Sequence, residues 1–331
     1  MPEHSNDNRY YLFDNMRAFL IILVVWGHLL TSLIFRNDVI KTIYYFIFCF
    51  HMPAMAFISG YFSKDPEKAR NQAFETILMP YLILNVCNYI FKMLVLREDY
   101  FGFRFFRPLW GLWYLLALFL WKFFLKDLIK IRFILPLSFL VGILSGFSKE
   151  FSTYMALGRV VCFLPFFLLG YYIKKEHIEE VKRIPRIAGF AVFIGTGVLS
   201  AVLAKSKMFD VEDLYLRSPY PEDADIEHMI IRVLIYVVAL IMIFALIYLT
   251  GNQKIFLTNI GQNTMTVYVL HLFTIPLLEK LKILNNEPYL YLIYSVIMTA
   301  LISYIYSLPI VKKIYDKAMN SLINLILHKD K

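Results

Sequence analysis

The segment "YYLFDNMRAFLIILVVWGHLLTSLIF", residues 10 to 35, is apolar over a length that spans a bilayer, yet it carries Asp14, Arg17 and His28. Hydrocarbon penalises all three side chains, so ionisable groups within such a span are candidates for function. A helix turns about 100° per residue, which leaves Arg17 and His28 only about 20° apart around the axis and roughly 16 Å apart along it. Asp14 and Arg17 are three positions apart and share that face. The three residues therefore form one polar stripe that runs from an interface into the membrane interior. Gly27 beside His28 leaves room for a ligand or a second helix.

Apolar runs of similar length recur along the chain. Ten spans are read at 12–34, 40–62, 75–96, 109–126, 131–147, 158–174, 187–204, 229–250, 260–279 and 289–310. They are continuously apolar rather than alternating, so they read as helices and not as barrel strands. The expected class is an all-α, polytopic integral membrane protein, a single domain over residues 1–331. Of those 331 residues, 59% are hydrophobic, 17% aromatic and 18% charged. A soluble domain carries nearer a quarter charged residues.

The formal charge of +9 is assigned to membrane topology and not to nucleic acid, because the basic residues cluster between spans. With both termini cytoplasmic, the inner side receives 20 of the 34 Lys and Arg. The "REDYFGFRFFRP" loop runs against this bias, with Arg97, Arg104 and Arg107 outside. The tail at 311–331 is basic and resembles a cytoplasmic interfacial helix. The longest polar insert, residues 205–228, is placed outside the cell. It reads as a solvated loop, or alternatively as a lid or docking segment for an acceptor. Cys49, Cys87 and Cys162 all fall in apolar runs and read as packing residues, and no metal spacing occurs. "MPEHSNDNR" is not a basic leader, so no cleaved signal peptide is expected.

Other spans hold further polar groups. The second carries "FHMPAMAFISGYF", with His51 near its middle and Pro53 expected to disturb the helical ladder. Running back from outside, it can bring His51 to the depth of His28. Ser59 and Gly60 are read as close-packing positions. The sixth span places Arg159 near the outer interface, where snorkelling is the plain reading. The ninth holds His271 with Tyr268 three positions before it. Trp110 and Trp113 read first as interfacial anchors, and as a surface that could grip a sugar. Lys68 and Arg70 lie in a loop read as cytoplasmic. No phosphate-binding glycine loop, zinc-protease motif or serine-hydrolase elbow is present.

Taken in order, Arg17-x10-His28 preceded by Asp14, "FHMPAMAFISGYF", "LWYLLALFLW", "GRVVCFLPFFLLGYYI" and "GQNTMTVYVLH" resemble the membrane acyltransferases of family 3. That group includes O-acetylases of O-antigen, peptidoglycan and fucose, and the nearest flavour is the fucose-4-O-acetylase-like branch. The resemblance implies a multi-pass protein of the bacterial plasma membrane. It implies an acyl-CoA donor, with acetyl-CoA the default, on the cytoplasmic side. The acceptor would be a hydroxyl of a cell-surface glycan or a lipid-linked sugar, with envelope-synthesis proteins as possible partners. His28 and Arg17 match the essential pair, with Asp14 orienting Arg17. Some relatives add a C-terminal esterase-like domain, which this chain is expected to lack.

On this reading a neutral His28 acts as general base, or is itself transiently acylated. Arg17, Lys68 and Arg70 are candidate contacts for acyl-CoA, and no metal is expected. His51, Arg159, His271, Tyr268 and Trp113 are candidates for the acceptor side. Two other classes also fit buried ionisable groups in broken helices: a transporter of a glycan precursor or small metabolite, and a structural subunit of an envelope complex.

Overall fold

The computed structural model describes residues 10–98, 108, 110–149, 156–183, 185–206, 209–223, 225–284 and 286–327. Arg104 and Arg107 lie outside the described residues. All regular structure among the described residues is helical. In chain order the helices are α1 (Leu12–Leu30), α2 (Asp38–Phe48), α3 (His51–Tyr61), α4 (Pro66–Ala73), α5 (Met79–Phe91), α6 (Trp113–Leu128), α7 (Ile134–Leu144) and α8 (Leu157–Tyr172). They continue as α9 (Lys175–Val181), α10 (Arg186–Lys205), α11 (Val211–Tyr215), α12 (Asp225–Leu249), α13 (Thr258–Gln262), α14 (Thr264–Lys280), α15 (Pro288–Tyr306) and α16 (Pro309–Ile326).

Six helical stretches among the described residues are long and apolar enough to cross a membrane: Leu12–Leu33, Asp38–Tyr61, Pro66–Leu96, Arg186–Lys205, Asp225–Leu249 and Pro288–Tyr306. A seventh is formed if α8 and α9, bent by 97° at their junction, count as one. The chain is thus an all-α, multi-pass membrane protein. Three expected spans, at 109–126, 131–147 and 260–279, fold as the shorter apolar helices α6, α7 and α14.

Helix starts follow local chemistry. Asn37 caps α2 by accepting from the Val39 and Ile40 amides at 2.9 and 3.1 Å. Asp65 caps α4 by accepting from the Lys68 amide at 3.0 Å, with Pro66 at the first helical position. The stretch expected as a loop around Lys68 and Arg70 is therefore helical and runs on to Leu96.

The second span is not continuous. It breaks at Cys49 and Phe50, where Phe50 leaves helical geometry at φ −140° and ψ −21°. Pro53 is the cause, but its effect falls four residues upstream. It offers no N–H to the Cys49 carbonyl, and its ring crowds that carbonyl. The helix restarts at His51, so Pro53 sits in a first turn where a missing N–H costs nothing.

The core closes on glycines. α3 crosses α8 at Gly60 and Gly170, where a Cβ on Gly60 would lie 1.8 Å from the Phe167 carbonyl oxygen, and one on Gly170 would lie 1.9 Å from that of Phe57. α13 meets α1 the same way, with Gly261 against the Asp14 carbonyl oxygen. Without water to drive association in the bilayer, such backbone contact supplies packing that larger side chains prevent. These crossings hold α3 against α8 and α13 against α1, and three of these helices, α1, α3 and α8, carry walls of the site.

The described residues of the segment at 205–228, expected as a solvated loop, are folded over the bundle. It contains α11, and Phe209, Val211, Leu214 and Leu216 are buried. Arg232 on α12 donates to the Ser218 carbonyl at 3.0 Å and to the Gly142 carbonyl at 3.2 Å, tying the segment to α7. Tyr220 donates its amide to the Gly146 carbonyl and its hydroxyl to that of Ile143, both at 2.7 Å. Within the segment, Arg217 grips Glu212 at 2.9 and 2.6 Å, and Ser218 donates to the same carboxylate at 2.7 Å.

Candidate active site

A cavity of about 350 Å³ lies beneath this segment. α1 contributes Val24 and His28 to its wall, α2 and α3 contribute Tyr44, Phe48 and His51, Gly111 comes from the short turn before α6, and Trp113 is the first residue of α6. Arg159 of α8, Tyr268 of α14, and Tyr215 and Arg217 of the folded-over segment complete the charged and aromatic lining.

The histidine chemistry can be derived from hydrogen bonds. His271 Nδ1 lies 3.0 Å from the Val267 carbonyl oxygen. A carbonyl only accepts, so this nitrogen carries a proton, and in a neutral ring Nε2 carries the lone pair. His271 Nε2 lies 3.0 Å from His28 Nδ1. His28 must then donate through Nδ1, which leaves the lone pair of a neutral His28 on Nε2. The network thus assigns His28 one tautomer, with Nε2 as its basic atom. The two rings lie 5.1 Å apart. α14 turns His271 inward by the same i, i+4 spacing that lets its ring reach the backbone of Val267.

His51 is fixed by the same logic. Its Nδ1 lies 2.8 Å from the Ile47 carbonyl, so Nε2 is its acceptor. The Ile47 carbonyl lies just before the break that Pro53 imposes. Phe48, across the same break, packs edge-on to His51 at 4.6 Å. Tyr268 donates to the Gly111 carbonyl, and Gly111 lies against His28, where a Cβ would come within 3.6 Å of the imidazole Cε1.

Arg17 and Asp14 lie outside the cavity, toward the other end of α1. Their side chains approach to 3.7 Å, and the Arg17 guanidinium covers the Phe62 ring at 4.3 Å. Asp14 also accepts from Gln262 at 3.3 Å. Tyr114, whose hydroxyl shares a 2.8 Å hydrogen bond with Ser59, packs beside Tyr268 of the cavity wall, their rings 6.3 Å apart.

An acyltransferase-domain family model, Acyl_transf_3, matches residues 10–308. The chain belongs to the Acyl_transf_3 family. It is therefore a membrane acyltransferase, which displaces the transporter and structural-subunit readings. Nodulation protein NolL of Sinorhizobium fredii (strain NBRC 101917 / NGR234) is 50% identical over 58 residues, which is 17% of this chain and 16% of that protein. The matched part thus spans under a fifth of that relative. No solved structure matches the chain.

In this acyltransferase the cavity gathers His28, His51, Arg159, Tyr268 and Trp113 from five helices, with His271 behind His28. It does not gather Arg17, Asp14, Lys68 or Arg70. Arg70 instead donates to the Phe123 carbonyl at 2.7 Å and pairs with Asp127, while Lys68 is exposed on α4. Two expectations change. Trp113 is buried and not an interfacial anchor; it packs on Phe163 at 5.2 Å and carries the Arg159 guanidinium at 4.9 Å from its ring centre. Arg159 points into the cavity and does not snorkel to an interface.

Sequence reasoning missed Tyr44, Tyr215, Arg217 and Gly111. The Tyr44 and Tyr215 hydroxyls share a 2.6 Å hydrogen bond that closes the segment over the cavity. Tyr215 and Arg217 stood in "DLYLRS", where an aromatic and a cation among acids were the available signal.

Proposed function

We propose that the protein is an O-acyltransferase of the bacterial plasma membrane that moves an acyl group, with acetyl the first choice, from cytoplasmic acyl-CoA to a hydroxyl of a cell-envelope carbohydrate or its lipid-linked precursor. The observation that carries this reading is the His28–His271 pair: family membership supplies acyl transfer, and the pair supplies a base of fixed tautomer inside a cavity. His28 Nε2 takes the proton of the acceptor hydroxyl. The hydroxyl oxygen attacks the thioester carbonyl and forms a tetrahedral intermediate. Its collapse breaks the carbon–sulfur bond, and the leaving thiolate takes the proton back from Nε2, releasing the ester and CoA. His271 Nε2 accepts the hydrogen bond from the His28 Nδ1–H throughout, the proton staying on His28, and so holds the ring in one orientation.

Arg17 suits the donor end. A guanidinium steadied by Asp14 and Phe62 favours phosphate oxygens, and it stands roughly 16 Å along α1 from His28. That rise is comparable with an extended pantetheine arm. Lys68, exposed on α4, would add positive charge around the nucleotide, with Arg70 beside it on α4 paired to Asp127. The carbohydrate class of the acceptor draws support from the polar and aromatic cavity lining.

The test uses purified protein in liposomes with labelled acetyl-CoA and cell-envelope glycan fractions. His28→Ala should lower transfer by about 10²–10⁴-fold. A folded His28→Ala variant with full activity would refute the assignment. Arg17→Lys should raise the KM for acetyl-CoA, because an ammonium lacks the planar fork.

A further inference from the structure

Arg159 and Arg217 both line the cavity, together with Tyr44 and Tyr215. Arg217 is compensated by its two hydrogen bonds to Glu212. Arg159 is placed differently. Its close contact is the Trp113 ring, and its electrostatic neighbours further off are Arg217, Tyr215, Glu212 and Tyr44. Among the described residues, no salt bridge joins it to a carboxylate, and Glu212 is already held by Arg217 and Ser218.

Two costs attach to this position. Arg159 is the third residue of α8, whose first turn carries the positive end of the helix dipole, so a cation there is unfavourable. A guanidinium drawn out of bulk water without a partner loses more solvation than a neutral ring returns. Trp113 steadies the group but does not neutralise it. Nothing in the packing requires a cation here, since the cavity is open beside it. Among the described residues the counter-charge is missing, and it is one that a ligand can bring.

We propose that Arg159 is a specificity residue that binds an anionic group, a carboxylate or a phosphoryl oxygen pair, on the carbohydrate acceptor. The acceptor is then a uronic acid or a sugar phosphate and not a neutral sugar. The planar fork of the guanidinium takes two such oxygens side by side. Binding there holds the sugar so that a hydroxyl meets His28 Nε2. This inference rests on the acyl-transfer reading above.

The first experiment measures thermal unfolding of the detergent-solubilised protein with glucuronate, glucose 1-phosphate, inorganic phosphate or glucose, at matched chloride concentration. At least one anion should raise the midpoint of the wild type, glucose should not, and Arg159→Gln should abolish the rise. Comparing glucuronate with the two phosphates separates the two sources of charge. If no anion stabilises the wild type above chloride, or if the effect survives in Arg159→Gln, the proposal fails, and the wild-type arm decides even if that variant does not fold.

The second experiment passes the carbohydrate labelled by acetyl-CoA over an anion-exchange resin. Retained label supports the proposal. Label in the neutral flow-through overturns it while leaving acyl transfer intact, whereas no label at all strikes the functional reading itself. With the anionic acceptor, Arg159→Gln should raise acceptor KM at least tenfold and leave donor KM unchanged, with Arg159→Lys recovering part of the loss. A fall in kcat at unchanged acceptor KM would instead assign Arg159 to the reacting oxyanion and would also overturn the proposal.

Discussion

His271 makes a sharp test because it orients the reacting base without touching substrate in the proposed mechanism. His271→Ala removes the acceptor for His28 Nδ1 and frees the ring to take the other tautomer. Loss of the outer hydrogen bond that orients a metal-ligating histidine costs about 10–100-fold, and a loss of that order is expected here. The expected result is a fall of that size in kcat, little change in either KM, and an altered pH–rate profile. A merely structural His271 would lower the yield of folded protein without moving the pH profile. His28 and Arg17 could be singled out from sequence because both sit on one helix, where spacing gives angle directly. The partnership of His28 with His271 could not, because 243 positions separate the two residues. Periodicity describes one helix at a time and says nothing about which helices pack together.

At the scale of elements, the α3–α8 crossing and the segment around α11 make the clearest predictions. Gly60→Ala places a methyl inside the Phe167 carbonyl, a backbone atom that cannot rotate away. The helices must separate, and overpacking of this kind costs about 1–3 kcal/mol or more. A lower thermal midpoint in detergent is expected, with activity lost as the cavity wall shifts.

For the α11 segment, burial works to raise the Glu212 carboxyl, but hydrogen bonds from Arg217 and Ser218 outweigh it and hold the group below its ordinary value. A depressed carboxyl contributes stability above its ordinary value of 4.5, and that stability is lost as pH falls through the lower, folded value. Amide exchange in residues 209–220 should therefore rise in acid once intrinsic rates are corrected. Glu212→Gln should show the same rise at pH 7, and an unchanged exchange pattern in that variant would remove Glu212 from the clasp. The sequence reading kept a lid as the alternative to a solvated loop. Arg232 and Tyr220 anchor the segment to α7, so its described residues are folded and not a free loop, through contacts that cross long stretches of chain.

For the whole molecule, the Lys and Arg distribution expects the α16 tail on the cytoplasmic side and the α11 segment on the other. Single cysteines at Lys313 and Ser218, in a background without Cys49, Cys87 and Cys162, should react with a membrane-impermeant maleimide from opposite faces of sealed vesicles. Reaction of both from one face would refute the topology and with it the proposed cytoplasmic delivery of acyl-CoA along α1. Of the shorter helices, α6 and α14 contribute Trp113 and Tyr268 to the cavity wall.

The sequence by itself determined the membrane class, the helical character, the polar stripe on α1 and, through its ordered motifs, the likeness to the family that later matched residues 10–308. These properties are local or additive: hydropathy, spacing along one helix, and short patterns. The tertiary structure decided that His28 is held by His271, that Pro53 breaks its helix at Cys49 and so docks His51, and that Arg159 faces a cavity and not an interface. It also turned the 205–228 insert into a roof. Each of these depends on which faces of distant helices meet, and in a bilayer that is set by close packing at small residues such as Gly60, Gly170 and Gly261, whose partners no single stretch of sequence names.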